Sequence, residues 1–316
     1  MLHLRIISPS ALTDRTVELL ERDDAVTHLW VSRGAAYKPR GDLVSCDVPR
    51  EAATATIGRL RALGLEQHGA IAVERVDLSL SSASQQAEDR APGEGTDALV
   101  WEELEQNAGE ETRLSVSYLV FMIIAMFIAC IGVLLDQPIL IVGAMVVGPE
   151  FGPLVAISVR LIDRRPRQAL AALGTLGIGF AVGMIATVLF TWLLTALGLV
   201  GAELLTEPRP LTSFIWHPDA LSWIVGFLAG VAGILALTSA KSGALVGVLI
   251  SVTTVPAAAN AAVALAYRVP REALGSTVQL LINLAAILAA GLVTLLVQRW
   301  HQARLQRRAA ADPAAT

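Results

Sequence analysis

The sequence predicts a protein in two parts: a soluble N-terminal α+β domain of the ferredoxin-like class (βαββαβ), then a polytopic α-helical membrane domain. The membrane domain is expected to have six spans in a 3+3 inverted repeat with two broken helices. Three observations lead there. The chain of 316 residues is 54% hydrophobic and 16% charged, with a mean hydropathy of +0.59, too apolar for one soluble core. That apolar excess lies in the last two-thirds, whereas the first 78 residues switch between strand-like and helix-like periodicity. And one long apolar run, 138–161, is interrupted by Gly148, Pro149, Glu150, Gly152 and Pro153.

Taken in order, residues 3–8 read as a strand, 10–22 as an amphipathic helix, and 25–31 and 42–48 as strands flanking a turn-rich segment 34–41. A helix at 50–63 and a strand at 71–78 complete the βαββαβ order of a domain over 1–78. Such domains bind regulatory ligands, carry metals or simply dimerise, so the class alone assigns no role. His3, His28 and His68 lack metal-ligand spacing with one another or with Cys46, and no metal or cofactor site is expected. Cys46 and Cys130 fall in a strand and a membrane helix and read as small buried hydrophobes, not a disulfide pair. Residues 79–96, poor in large apolar side chains, read as a linker, and 97–112 as a polar, acidic-faced helix before the membrane.

Six apolar segments follow within 114–300, at 114–135, 138–161, 169–199, 220–237, 243–267 and 274–300, each able to cross a core of roughly 30 Å. Residues 301–316 read as a basic, disordered tail. Residues 2–8 have neither the basic start nor the long apolar core of a secretory signal, so the N-terminus is expected in the cytoplasm. With that orientation Arg160, Arg164, Arg165, Arg167, Lys241 and the basic tail are also cytoplasmic. Arg268 and Arg271 fall outside, against the trend, while the long outer loop 201–219 carries only Arg209. The expected location is the cell (inner or plasma) membrane, with both termini cytoplasmic and the lipid bilayer as the first partner. The net charge of −4 and the scatter of basic residues give no reason to expect nucleic acid.

The two halves of the membrane domain resemble each other. Ile141-Val142-Gly143 matches Leu245-Val246-Gly247, and the segment at Arg165-Pro166-Arg167 resembles Val269-Pro270-Arg271, both 104 positions apart. Three spans per copy would turn the second copy upside down, the plan of many secondary transporters. The repeat also predicts a second break, and Ser251 to Pro256 supplies it. Proline and glycine there free backbone groups that lipid cannot satisfy, so such backbone must face protein or a water-filled cavity. Glu150 is a carboxylate near mid-membrane, costly unless functional. The expected substrate- or ion-binding residues are Gly148, Pro149, Glu150, Gly152, Pro153, Thr253, Thr254, Pro256, Asn260, Gln279 and Asn283. Half-helix N-termini at 151–153 and 256–258 would offer N–H groups, freed carbonyls would offer oxygens, and Gln279 and Asn283 share one helix face. The plainer alternatives are that Glu150 caps the second half-helix and that Gln279 and Asn283 join helices.

The run from Gly143 to Pro153, with the segments 237–243 and 251–266, resembles the prokaryotic uncharacterised hydrophobic-domain family catalogued as domain of unknown function 389. The resemblance covers about 114–300 and implies a multi-span membrane protein, often with a soluble N-terminal domain; it brings no substrate and no catalytic residues. The leading expectation is a secondary transporter or ion-conducting protein, regulated or oligomerised by the soluble domain. The alternative is a membrane sensor or scaffold that does not transport. No nucleophile elbow, metal cluster or phosphate loop suggests an enzyme. Gly174, Gly177, Gly179 and Gly183 allow close packing in the third span and, with the acidic helix, suggest a homo-oligomer.

Overall fold

The computed structural model describes residues 1–76, 78–91, 100–102, 104–106, 113–238 and 244–311. They divide between two compact units, the first dominated by residues 1–103 and the second by 104–298. In the first unit the elements are β1 (Leu2–Ser8), α1 (Ser10–Glu21), β2 (Thr27–Tyr37), β3 (Arg40–Val48), α2 (Arg50–Ala62), a short α3 (Leu65–His68), β4 (Ala70–Arg75) and α4 (Ser82–Arg90). The four strands form one sheet in the order β2-β3-β1-β4, with every neighbouring pair antiparallel.

Alternation explains the central strands. Leu2, Leu4 and Ile6 of β1 and Val44, Cys46 and Val48 of β3 all face a core closed by Leu20, Ala53, Ile57, Leu60 and Leu65. Burial in that core pushes the Cys46 thiol up to about 12, consistent with an inert hydrophobe. On β1 and β3, His3 Nδ1 lies 2.7 Å from one Asp47 oxygen; His28 Nδ1, from β2, lies 2.7 Å from the other.

Two expectations need correcting here. The segment 34–41 is not mainly turn: β2 runs on to Tyr37, and a register shift between Ser32 and Ala36 absorbs Gly34. Asp42 anchors this hairpin, accepting hydrogen bonds from the Gly34 N–H at 2.7 Å and the Thr13 hydroxyl at 2.8 Å. Nor is 79–96 all linker. Ser81 accepts hydrogen bonds from the N–H groups of Ala83 and Ser84 and starts α4, whose Gln, Ala and Glu residues favour a helix. The expected helix 97–112 falls mostly outside the described residues; 101–102 and 104–106 are helical.

The second unit contains α5 (Val116–Leu134), α6 (Pro138–Val147), α7 (Phe151–Ile162), α8 (Pro166–Ala196), a short α9 (Glu203–Thr206), α10 (Ala220–Thr238), α11 (Ala244–Ser251), α12 (Thr254–Ala266) and α13 (Pro270–Ala311). Among the described residues four helices are long and apolar enough to cross a membrane: Val116–Leu134, Pro166–Ala196, Ala220–Thr238 and Pro270–Arg304. α6 and α7 pass the same test only as a pair, bent by 48° at their junction, the geometry of a broken span or a re-entrant loop. The fifth expected span, 243–267, is in two pieces, α11 and α12, and the longer, α12, has 13 residues. At 1.5 Å per residue that is roughly 20 Å, too short to cross alone. α13 continues past 300 to Ala311, where a disordered tail was expected, because Gln, Ala, Arg and Leu favour helix and no Gly or Pro intervenes.

The 104-residue repeat extends to backbone detail. Ser115 caps the N–H of Tyr118 at the start of α5; Asp219 caps that of Ser222 at the start of α10. Arg164 and Arg268 have positive φ of 57° and 58°, and each sits in a tight turn before a helix opened by Pro166 or Pro270. The turns close alike, with Arg165 N–H bonding the Arg160 carbonyl and Val269 N–H that of Ala264. Packing between the first and last long helix of each half also repeats. Gly179 and Gly183 of α8 leave room for Tyr118, Met122 and Met126 of α5, and Gly226 and Gly230 of α10 for Ala286 and Ala290 of α13. The glycines singled out in α8 thus serve contacts within one chain at two of their four positions.

Asp42 gives a pH test. The Gly34 N–H bond, then the Thr13 hydroxyl, hold its carboxyl below the ordinary range. A lowered carboxyl stabilises the fold above its unfolded pKa and loses that contribution as pH falls through its folded pKa. Asp42→Asn is therefore expected to speed amide exchange in the β2–β3 hairpin of the full chain at pH 7. Near pH 3 or below, roughly where carboxylates protonate, the two proteins should converge.

Candidate functional site at the paired helix breaks

The first break is short. α6 ends at Val147, Gly148 is extended at φ −62° and ψ 131°, Pro149 follows, and α7 starts at Phe151. Pro149 has no N–H to offer the Met145 carbonyl, so the helical ladder stops where the sequence says it should. The second break lies at Val252 and Thr253, with α12 starting at Thr254, two residues before the expected start at Pro256. Proline is tolerated in the first turn because N–H groups there have no partner within the helix. Pro256 and Pro153 occupy the same third helical position in their respective half-helices.

The two breaks meet. The Thr254 hydroxyl donates to Glu150 Oε1 at 2.5 Å, and both side chains are buried. Glu150 is 5% exposed, its Oε2 has no hydrogen-bond partner, and it joins no ion pair among the described residues. It does not cap α7. Gly148 makes this placement possible, since a Cβ there would lie 2.3 Å from Glu150 Oε2. Next to Thr254, Thr253 Oγ1 accepts from Asn283 Nδ2 at 2.9 Å, and Gln279 Nε2 reaches Asn283 Oδ1 at 3.5 Å. Gln279 is 2% exposed and its Oε1 is also without a partner. The structure thus brings together Gly148, Pro149, Glu150, Thr253, Thr254, Gln279 and Asn283. Gly152, Pro153 and Pro256 lie in the first turns of the half-helices and shape the breaks.

Asn260 belongs to a different cluster. Its Nδ2 donates to Glu272 Oε1 at 3.0 Å and to Ser276 Oγ at 2.6 Å, and Arg209 pairs with Glu272 and reaches Asn260 Oδ1 at 3.4 Å. Arg209, Glu272, Asn260 and Ser276 are all buried. A loop arginine with no periodicity around it gave no signal of this in the sequence. Its equivalent 104 positions earlier is Glu105, whose carboxylate pairs with Arg160 at 3.4 Å and Arg165 at 2.5 Å. Arg160 is 8% exposed, so it is not the solvated loop charge that its place near a span end suggested. In each half, therefore, one charged side chain from the segment ahead of the first long helix is clamped to the region around the second half-helix by charge of opposite sign. The polarity is reversed between halves.

Apolar helices of spanning length, largely exposed along their sides, and a carboxylate buried at a repeated helix break mark a multi-pass integral membrane protein. Residues 145–289 match the family model described as Domain of unknown function (DUF389). A relative, the uncharacterized protein MJ0678 of Methanocaldococcus jannaschii, is 26% identical over 200 residues, covering 63% of this chain. The match spans 60% of that relative's length. No solved structure matches the chain.

The Arg209–Glu272 pair gives a quantitative test. Removing one partner of a buried pair leaves the other charge uncompensated, at a cost of about 3–5 kcal/mol, whereas replacing both with apolar residues is often near neutral. Glu272→Leu alone is expected to lower stability by that amount in chemical denaturation of the full chain in micelles. Arg209→Met with Glu272→Leu should recover most of it; equal losses in the single and double variants would show that the pair is not coupled.

Proposed function

We propose that this protein is a secondary transporter or ion-conducting protein whose substrate path passes through the paired helix breaks. The observation that carries this reading is the contact between Glu150 and Thr254, residues 104 positions apart and so equivalent in the two halves. Under a two-fold relation a residue touches its own equivalent only near the axis. That contact supports a 3+3 inverted repeat of six spans, with α11 and α12 as the fifth crossing and the binding site at mid-membrane. The opposed clamps at Glu105 and Arg209 suit the two ends of such a path, one for each membrane face.

In this reading the arginines around 160–167 lie on the cytoplasmic side, as do both termini. The β2-β3-β1-β4 unit is a ferredoxin-like domain that regulates the membrane domain or assembles copies of it. The exposed face of α8, including Leu170, Leu173 and Gly174, is where copies would associate. No step of this reading requires a chemical reaction on the substrate.

The test needs no substrate. In full-length protein with Cys46→Ala and Cys130→Ala, Thr253→Cys should react with a membrane-impermeant thiol reagent applied to either face of a proteoliposome. Labelling from neither face would mean a dry, packed break and would favour a scaffold that does not transport.

A further inference from the structure

The polar groups at the paired breaks are unbalanced in one direction. Three side-chain donors there reach acceptors: the Thr254 hydroxyl donates to Glu150, Asn283 Nδ2 to Thr253, and Gln279 Nε2 to Asn283. What remains is oxygen, Glu150 Oε2 and Gln279 Oε1. The Met145 carbonyl adds another, because the residue four positions on is Pro149. Buried acceptor oxygens without donors, one of them on a carboxylate, ask for a positive charge.

The chemistry of the donors narrows what that charge can be. Every ligand atom is a hard oxygen, which disfavours zinc, copper and other metals that prefer nitrogen or sulfur. Among the described residues no three His, Cys, Asp or Glu side chains gather to hold a metal ion. One carboxylate is little charge for calcium, whose sites use several, while hydrated magnesium keeps its waters. A monovalent cation cancels the single charge and accepts coordination from neutral oxygens as well.

We propose that the paired breaks bind one dehydrated alkali cation of the sodium class, with Glu150 Oε2 as its charged ligand. Oxygens of the same breaks complete its shell. The inference rests on reading the breaks as a binding site, and it names what that site takes. Gly148 is part of the site: its missing Cβ leaves the space that Oε2 occupies.

The test is thermal unfolding of the full chain in micelles, titrated with sodium chloride against choline chloride at constant ionic strength and at two pH values. Saturable stabilisation by sodium is expected, roughly 5–10 °C at a hundredfold excess over the dissociation constant. Glu150→Gln should abolish the response while melting in choline no lower than the parent, since it removes an unpaired buried charge. Gly148→Ala, which crowds Oε2, should weaken the response with Glu150 still present. An unfolding temperature indifferent to sodium, potassium and lithium overturns the proposal. So does a sodium response that survives Glu150→Gln, or one that tracks pH alone and assigns the charge to a proton. Sodium binding without labelling at Thr253→Cys would keep this inference and remove the transport reading; labelling without sodium binding would do the reverse.

Discussion

The membrane unit depends on one constraint: a carboxylate must sit in an apolar interior with no cationic side chain among the described residues paired to it. Glu150 is 5% exposed, and its single hydrogen-bond partner is the hydroxyl of Thr254. Leaving such a group charged and unpaired costs several kcal/mol, more than most single contacts contribute. Much of the surrounding sequence serves to place it there. Gly148 vacates the space over which Oε2 lies, and Pro149 stops α6 before the carboxylate. α12 brings in the hydroxyl and is buried along almost its whole length, with alanines at 257, 258, 259, 261, 262 and 264. A helix apolar on every face belongs in an interior, and small side chains let its neighbours approach.

The clamps address the other cost of breaking a helix. Two half-helices have lost the continuous ladder that fixes one to the other, so their outer ends need separate attachment. Glu105 attaches the end of α7 through Arg160 and the start of α8 through Arg165; Arg209 attaches α12 through Asn260 and the start of α13 through Glu272. Buried pairs of this kind contribute little net stability compared with apolar packing, but they penalise misplacement heavily. Their value here is positional. The reversal of sign between halves also means that one clamp cannot pair with the wrong half's partner.

Much of this was legible in the sequence, for physical reasons. Proline and glycine act on the backbone locally, so the break at Gly148 to Pro153 and its partner near Pro256 could be placed within two residues. The 104-residue offset survived in short apolar motifs because both halves must build the same turns. Alternating patterns likewise marked β1 and β3 as strands. What escaped were contacts made by charges far apart in the chain: Arg209 is 63 positions from Glu272, and Glu105 is 60 from Arg165. Asn260 was placed with the wrong partners for the same reason, since nothing local distinguishes one buried face of α12 from another. α4 was missed because its short apolar content hid a good capping residue, Ser81.

The departure from symmetry at the centre is as informative as the symmetry around it. Positions 150 and 254 are equivalent and touch, so whatever one half places there faces what the other half places. Two carboxylates at that separation could not both stay ionised; one would be forced neutral by the other. Two threonines would leave no charge at all. A glutamate against a threonine gives a single negative charge, with a donor that fixes one oxygen and leaves the second free. The halves could therefore keep their common backbone down to matching turns while diverging at the one pair of positions where two threonines would carry no charge and two carboxylates would have to hold a proton between them.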